Sequence, residues 1–407
     1  MAIIEGIKMS VQSPVLADTL DEAQVDALHG RILTVDAHID VRDGFNTLGN
    51  DATLETEGQF DLPKLRRGGL KLAVVALYAD GVPNTAEGRA IARAQIDGKF
   101  DGISRLVAAH PDKLTFVRNS SEIAQAVAEG KQAILLSYVN AVAFGSDITQ
   151  IDRFYEKGVR VLGLVHIGNN SFAASSRPNV SFGDDPDATG GLTELGRQAI
   201  TRMNELGIVP DVTQLSPRGV AEVLAVSKSP VVASHSGVRG RVDSPRNLSN
   251  AELRAIADKG GVAHIVAFTS YLRDRDGSQK AFQEDVFAPF GLTPGKENPR
   301  AVLSSEDFAR FQAGYRKFSH RRFEFASLID WLDAVDYAVR VAGIDHVGLS
   351  SDFNNGGGVR GYAHVGEAKN VTQELLRRGY SEDQIEKLWG GNFLRVLTEN
   401  EQRRGGK

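Results

Sequence analysis

The sequence predicts a single (β/α)8 barrel, an α/β fold, and three observations carry that prediction. Eight short, apolar, β-branched runs recur along the chain, with helical segments between most of them. Between Ile208 and Asn247 the alternation is clearest. Ile208–Gln214 reads as a strand, Pro217–Ser227 as a helix and Pro230–His235 as the next strand. Finally, polar residues fall where the apolar runs end, and a parallel barrel gathers those strand ends at one mouth.

The elements follow in order. Residues 1–22 form an N-terminal arm without clear period, although Leu20–His29 suggests a short helix. The barrel is expected over residues 23–407. Ile32–Ala37 is the first strand, followed by His38–Ile39–Asp40. The two-residue period places His38 and Asp40 on one face, where they can grip one ion. Leu72–Ala79 is the second strand and ends at Asp80; a helix over Thr85–His110 follows. Ala133–Tyr138 is the third, ending at Val139 and Asn140, and Arg160–Val165 the fourth, ending at His166. A polar loop, Ser171–Gly191, precedes a helix over Thr193–Leu206 with Gly207 as its stop. The fifth and sixth strands are the pair named above. Ser249–Asn250–Ala251–Glu252 is a capping box. Gly261–Phe268 is the seventh strand. Residues 271–325 form a charged, weakly periodic insertion, expected as a lid or interface. A helix over Ser327–Ala342 leads to the eighth strand, His346–Ser351, which ends in Asp352–Phe353–Asn354–Asn355 and three glycines. A second capping box at Ser381–Gln384 opens the last helix.

Composition narrows the chemistry. The 407 residues carry 24% charged side chains and a formal net charge of −5, so no basic field points to nucleic acid. There is no cysteine, which excludes thiolate nucleophiles, disulfides and Cys-ligated zinc. No apolar run reaches the length of a membrane span, and no signal-peptide pattern opens the chain. A cytoplasmic location is the default, although an exported and trimmed precursor would look the same.

The residues expected at the mouth are His38, Asp40, Asp80, Val139, Asn140, His166, Gln214, His235 and Asp352. The chain has only nine histidines, so several at strand ends point to a metal rather than to core packing. His29, His110, His320 and His364 lie in helical or loop contexts, His264 inside a strand and His346 at a strand start; all six read as structural. Arg246, after Pro245, reads either as a helix-start charge or, in the polar loop beside His235, as a group that binds a carboxylate. Gly356–Gly358 is a weak phosphate-loop signal, since no helix clearly follows it.

These motifs resemble the renal (membrane) dipeptidase family, peptidase family M19 of the amidohydrolase superfamily. The resemblance rests on Val35–Asp36–Ala37–His38–Ile39–Asp40, Leu164–Val165–His166 and Gly191–Leu192–Thr193. It continues in Ala233–Ser234–His235–Ser236, Pro245–Arg246–Asn247–Leu248, His346–Val347–Gly348–Leu349–Ser350–Ser351–Asp352–Phe353 and Gly391–Asn392–Phe393–Leu394–Arg395–Val396. It implies a (β/α)8 barrel and a zinc centre. His38 and Asp40 would bind one ion and His235 a second. Asp352 would serve the metal centre and proton transfer. His166 and Asn170 would contact the substrate, and Arg246 would hold its carboxylate.

The sequence departs from that family at two ligands. The bridging glutamate falls at Val139 and a ligand histidine at Gln214. The second site is therefore degenerate, and one zinc ion per chain, or none, is expected. The leading functional expectation is a metal-dependent hydrolase of dipeptides or related small amides, with Asp352 and His166 as its catalytic residues. The alternative is a degenerate member that binds or transforms a peptide-derived small molecule without hydrolysis. A homodimer is expected, with no nucleic-acid partner.

Overall fold

All eight predicted runs become strands of one parallel sheet. The computed structural model describes residues 21–185, 190–273, 286–292, 299–322 and 326–406, with 316–322 and 406 as backbone only. In chain order the strands are β1 (Val35–Asp40), β2 (Leu72–Tyr78), β3 (Leu114–Val117), β4 (Gln132–Val139), β5 (Val159–Gly163), β6 (Val209–Asp211), β7 (Val232–Val238), β8 (Asn247–Leu248), β9 (Val262–Val266) and β10 (Val347–Ser350). The barrel order is β1-β2-β4-β5-β6-β7-β9-β10. Each neighbouring pair is parallel. This is the expected (β/α)8 architecture.

The barrel closes beyond the end of β10. Asp352 N donates to His38 O, and Asp40 N donates to Phe353 O, both at 3.0 Å. The closing seam therefore runs along the segment that carries His38, Asp40 and Asp352. Proximity of these three is a consequence of barrel closure.

Two strands escape the sequence pattern. β3 pairs with the first half of β4, up to Val117 against Leu135, and β5 takes over that edge from Leu136. β8 adds two residues beside Gly237 and Val238. At four and two residues, neither is long enough to show a period.

The floor of the barrel is apolar. Val35, Leu72, Val74, Ala133, Leu135, Val161, Val209, Val232 and Val262 cluster with Phe393, Val396 and Leu397 of the helix Asn392–Gln402. That helix plugs the lower end, so polar chemistry is confined to the upper one. His264 belongs to this floor, against Phe393 at 5.7 Å. Burial pushes its pKa down to about 4, so it is a neutral core histidine. His29 donates or accepts at Thr372 Oγ1 (2.7 Å) and Gly68 O (2.8 Å), again structural.

Caps were legible where their chemistry is local. Ser249 and Ser381 form the expected capping boxes, and Ser327 forms a third with Asp330. Gly207, at φ 76°, ends the helix Glu194–Leu206.

The predicted arm, residues 1–22, lies outside the described residues except for its last two. Within the insertion, residues 274–285, 293–298 and 323–325 also lie outside. Its described part includes a long helix, Ser305–Arg322, that weak periodicity concealed. Phe311 packs there with Val286, Phe287, Phe290, Leu303 and Phe308, apart from the barrel core. Arg300 reaches down to Asp80 (2.7 Å) and Asp43 (3.1 Å), which tie this segment to the barrel mouth. Among the described residues, no helix is long and apolar enough to cross a membrane.

Candidate metal centre

Strand ends deliver the site. His38 and Asp40 lie in β1, His235 in β7, and Asp352 just beyond β10. Asn140, Gln214 and Asp352 follow three different strands, and all adopt positive φ (77°, 71° and 57°). A left-handed backbone costs a non-glycine residue roughly 1 kcal/mol or more and persists only when its surroundings enforce it. Three such residues around one mouth mark it as a place where side-chain direction outranks backbone ease.

His38 Nε2 stands 3.4 Å from Asp40 Oδ1 and 3.7 Å from Asp352 Oδ1. The His38 and His235 rings stack with centroids 3.7 Å apart. One ligand atom each from His38, His235 and Asp352 falls within 4.8 Å of the others. Both Asp40 oxygens, Asp352 Oδ1 and His38 Nδ1 are buried without a hydrogen-bond partner. Unpaired carboxylate oxygens in a dry interior are costly unless a cation balances them. The donor set fits one divalent ion: hard oxygens and imidazole nitrogen, with no sulfur.

The electrostatics agree. Burial raises Asp352 well above the carboxylate range, and the charge of Asp40 raises it further. Burial lowers the His38 pKa, but Asp40 and then Asp352 outweigh it and bring it up to about 9. The imidazolium and a divalent cation therefore compete for the same two carboxylates.

His235 is held differently. Ser234 Oγ donates to Asp211 Oδ2 at 2.5 Å, so it accepts from His235 Nδ1 at 2.8 Å. This leaves the His235 Nε2 lone pair facing the mouth, where it accepts from Gln214 Nε2 at 3.2 Å. Gln214 Oε1 in turn accepts from Arg177 Nη2 at 2.5 Å. His235, which the resemblance places at a second ion, has a ligand atom within 4.8 Å of those of His38 and Asp352.

The remaining candidates divide. His166 is buried; burial, then Arg177 and Arg246, push its pKa well below the usual value, so it is neutral. Its Nδ1 has no partner. Arg246 is buried and donates from Nη2 to His235 O at 2.9 Å. Its Nε and Nη1 are unpartnered. Val139 is buried at the end of β4. Asn140 donates to Ala79 O at 3.2 Å, bracing the mouth. Asn170 donates to Leu164 O (2.7 Å) and accepts from Phe172 N (2.9 Å), so its amide shapes its own loop. Asp80 pairs with Gln95 and Arg300 at the rim. The three glycines are not a phosphate loop: Gly357 N donates to Asp352 O (3.0 Å) and Gly358 N to Ala267 O (2.7 Å).

Arg177, Tyr271 and Asp211 were not legible as site residues. Arg177 sits deep in a polar loop, which Gly168 N folds back by donating to Arg177 O at 2.9 Å. Nothing in the loop's composition distinguishes that arginine. Tyr271 lies under the Arg246 guanidinium, 5.1 Å from ring centre to Cζ.

Residues 22–406 match the family model of membrane dipeptidase, peptidase family M19. The chain belongs to that family. Among solved structures, this M19 chain is similar to the probable dipeptidase PvdM of Pseudomonas aeruginosa. The two are 38% identical, with a TM-score of 0.84 over 94% of this chain and 98% of that one. A metallo peptidase of Rhodobacter sphaeroides, liganded with a phosphinate mimic of the dipeptide L-Ala-D-Ala, shares the fold at 23% identity. Its TM-score is 0.70 over 91% of this chain and 99% of that one. Dipeptidase aclJ of Aspergillus oryzae is 26% identical over 85% of this chain and 71% of its own length.

Proposed function

We propose that this M19 protein hydrolyses a small amide with a free carboxylate, a dipeptide or a close relative, using one divalent ion, expected to be zinc. The observation that carries the reading is the pair Asp40 and Asp352, with three buried, unpartnered oxygens converging on His38. His38, Asp40 and Asp352 would hold the ion, with His235 Nε2 within reach if Gln214 gives way. When bound, such an ion polarises a carbonyl and makes water a better nucleophile at neutral pH.

The chain's own groups supply the rest. Asp352 takes the proton of the attacking water and returns it to the leaving amine, a role that suits a carboxylate at the mouth beside His38. Neutral His166 offers an N–H to the carbonyl oxygen as charge develops on it. Arg246 pairs with the substrate carboxylate through the N–H groups it leaves unspent.

One observation favours a second reading, a non-hydrolytic member of the family. Gln214 and Arg177 occupy the direction in which His235 would serve a second ion. The deciding experiment measures zinc content together with cleavage of a panel of dipeptides, before and after chelation. Cleavage that stops on chelation and in His38→Ala supports the hydrolase. Activity surviving both His38→Ala and Asp40→Ala would overturn every metal-based account.

A further inference from the structure

Two cations at the mouth have no carboxylate of their own. Arg246 leaves Nε and Nη1 unpartnered in a buried setting, and Arg177 leaves Nε the same way. Neither guanidinium forms an ion pair among the described residues. The nearby Asp211 accepts from Thr213 N (2.9 Å), Ser234 N (3.0 Å) and Ser234 Oγ (2.5 Å). Arginine N–H groups buried without partners are as costly as any unsatisfied polar group, and guanidinium is shaped to receive an oxyanion.

Pairing sharpens the point, since Asp211 also carries a charge but commits its oxygens to Thr213 and Ser234 rather than to a guanidinium. A divalent ion neutralises ionised Asp40 and Asp352. One substrate carboxylate neutralises Arg246. Arg177 remains. Its carbonyl partner Gln214 is neutral, and that amide is anchored at its other end on His235. Arg177 thus stands on the His235 side of the mouth as a fixed positive charge, where the expected second ion is denied its ligands by Val139 and Gln214.

We propose that Arg177 is a second anion anchor and that the ligand of this site is a diacid: an amide carrying another carboxylate besides the one held by Arg246. The assignment of Arg246 rests on the hydrolase reading above; the anion binding itself does not require turnover. Both guanidiniums are tied to His235, Arg246 through its carbonyl at 2.9 Å and Arg177 through Gln214, so both stand at the same part of the mouth. In this arrangement a fixed cation takes over the anion-binding half of a second ion's role and selects for ligand charge.

The test compares glutarate with butyrate by titration calorimetry on the metal-loaded protein. Glutarate should bind about tenfold or more tightly than butyrate, the effect of one charge-assisted anchor. Arg177→Gln should erase that preference while changing butyrate affinity by less than about twofold, and Arg177→Lys should restore part of it. Zinc content and circular dichroism establish that each variant is folded. The wild-type comparison stands alone should Arg177→Gln not fold: equal affinities for the two acids overturn the proposal. So does an Arg177→Gln variant that weakens both acids equally. Glutarate preference without any amide cleavage overturns the hydrolase reading and supports this one.

Discussion

His38 and His235 lie face to face, 3.7 Å between ring centroids and 24° between planes, yet their surroundings push their pKa values in opposite directions. Asp40 and Asp352 outweigh burial at His38 and raise it to about 9. Burial, the His38 charge and the Arg246 charge hold His235 far below its usual value. One stacked pair therefore sets a ring whose carboxylate neighbours favour its protonated form against a ring held toward the neutral form, with Gln214 at its Nε2.

Ion stoichiometry follows. After dialysis against zinc, elemental analysis should give one equivalent per chain, and His38→Ala should lose it. Val139→Glu with Gln214→His supplies the missing family ligands, but Arg177 would remain beside them. That double variant should still bind one equivalent, and adding Arg177→Ala should admit a second. Two equivalents in the unmodified protein would refute the scheme.

The His38 shift makes a signed pH prediction. Its folded pKa, about 9, lies above the unfolded value near 6.5. In chelator-treated protein its contribution is complete below pH 6.5 and disappears as pH rises through 9, so Tm should fall across that window. Zinc must displace the His38 proton, so the Tm gain from zinc should grow over the same window. Parallel behaviour with and without zinc would remove His38 from the site.

Arg246→Ala should raise KM for a free dipeptide far more than for its C-terminal amide. A charge-assisted pair is worth roughly 1.5–3 kcal/mol, or about one to two decades. Equal effects on both substrates would make Arg246 a brace for His235 O and Tyr271 alone.

Backbone crowding beneath Asp352 gives a stability test. A Cβ on Gly357 would meet Ser351 O at 2.0 Å and Asp352 O at 2.5 Å. Gly357→Ala should cost about 1–3 kcal/mol by overpacking and weaken zinc binding with it. Gly98, inside the helix Ala86–Ala109, has nothing within 4 Å of an added Cβ. Gly98→Ala should instead stabilise by about 0.5–1 kcal/mol. Thermal melts of the two variants should move in opposite directions.

The sequence by itself determined the eight strands, their parallel order and the polar residues at their ends. Buried β-branched runs, caps and two-residue alternation are local signals, so they survive without coordinates. His38 with Asp40, His235, Asp352, His166 and Arg246 could be named because each lies at or near a strand end. What only the tertiary structure decided was which of these groups meet and what balances them. Closure of β10 against β1 set Asp352 beside His38. Stacking across the mouth set His235 against His38. A loop folded back by Gly168 brought in Arg177, which lies on no strand and follows no period. Short-range steric rules write themselves into sequence spacing, whereas the balance of charge in a dry pocket depends on groups that chain distance does not relate.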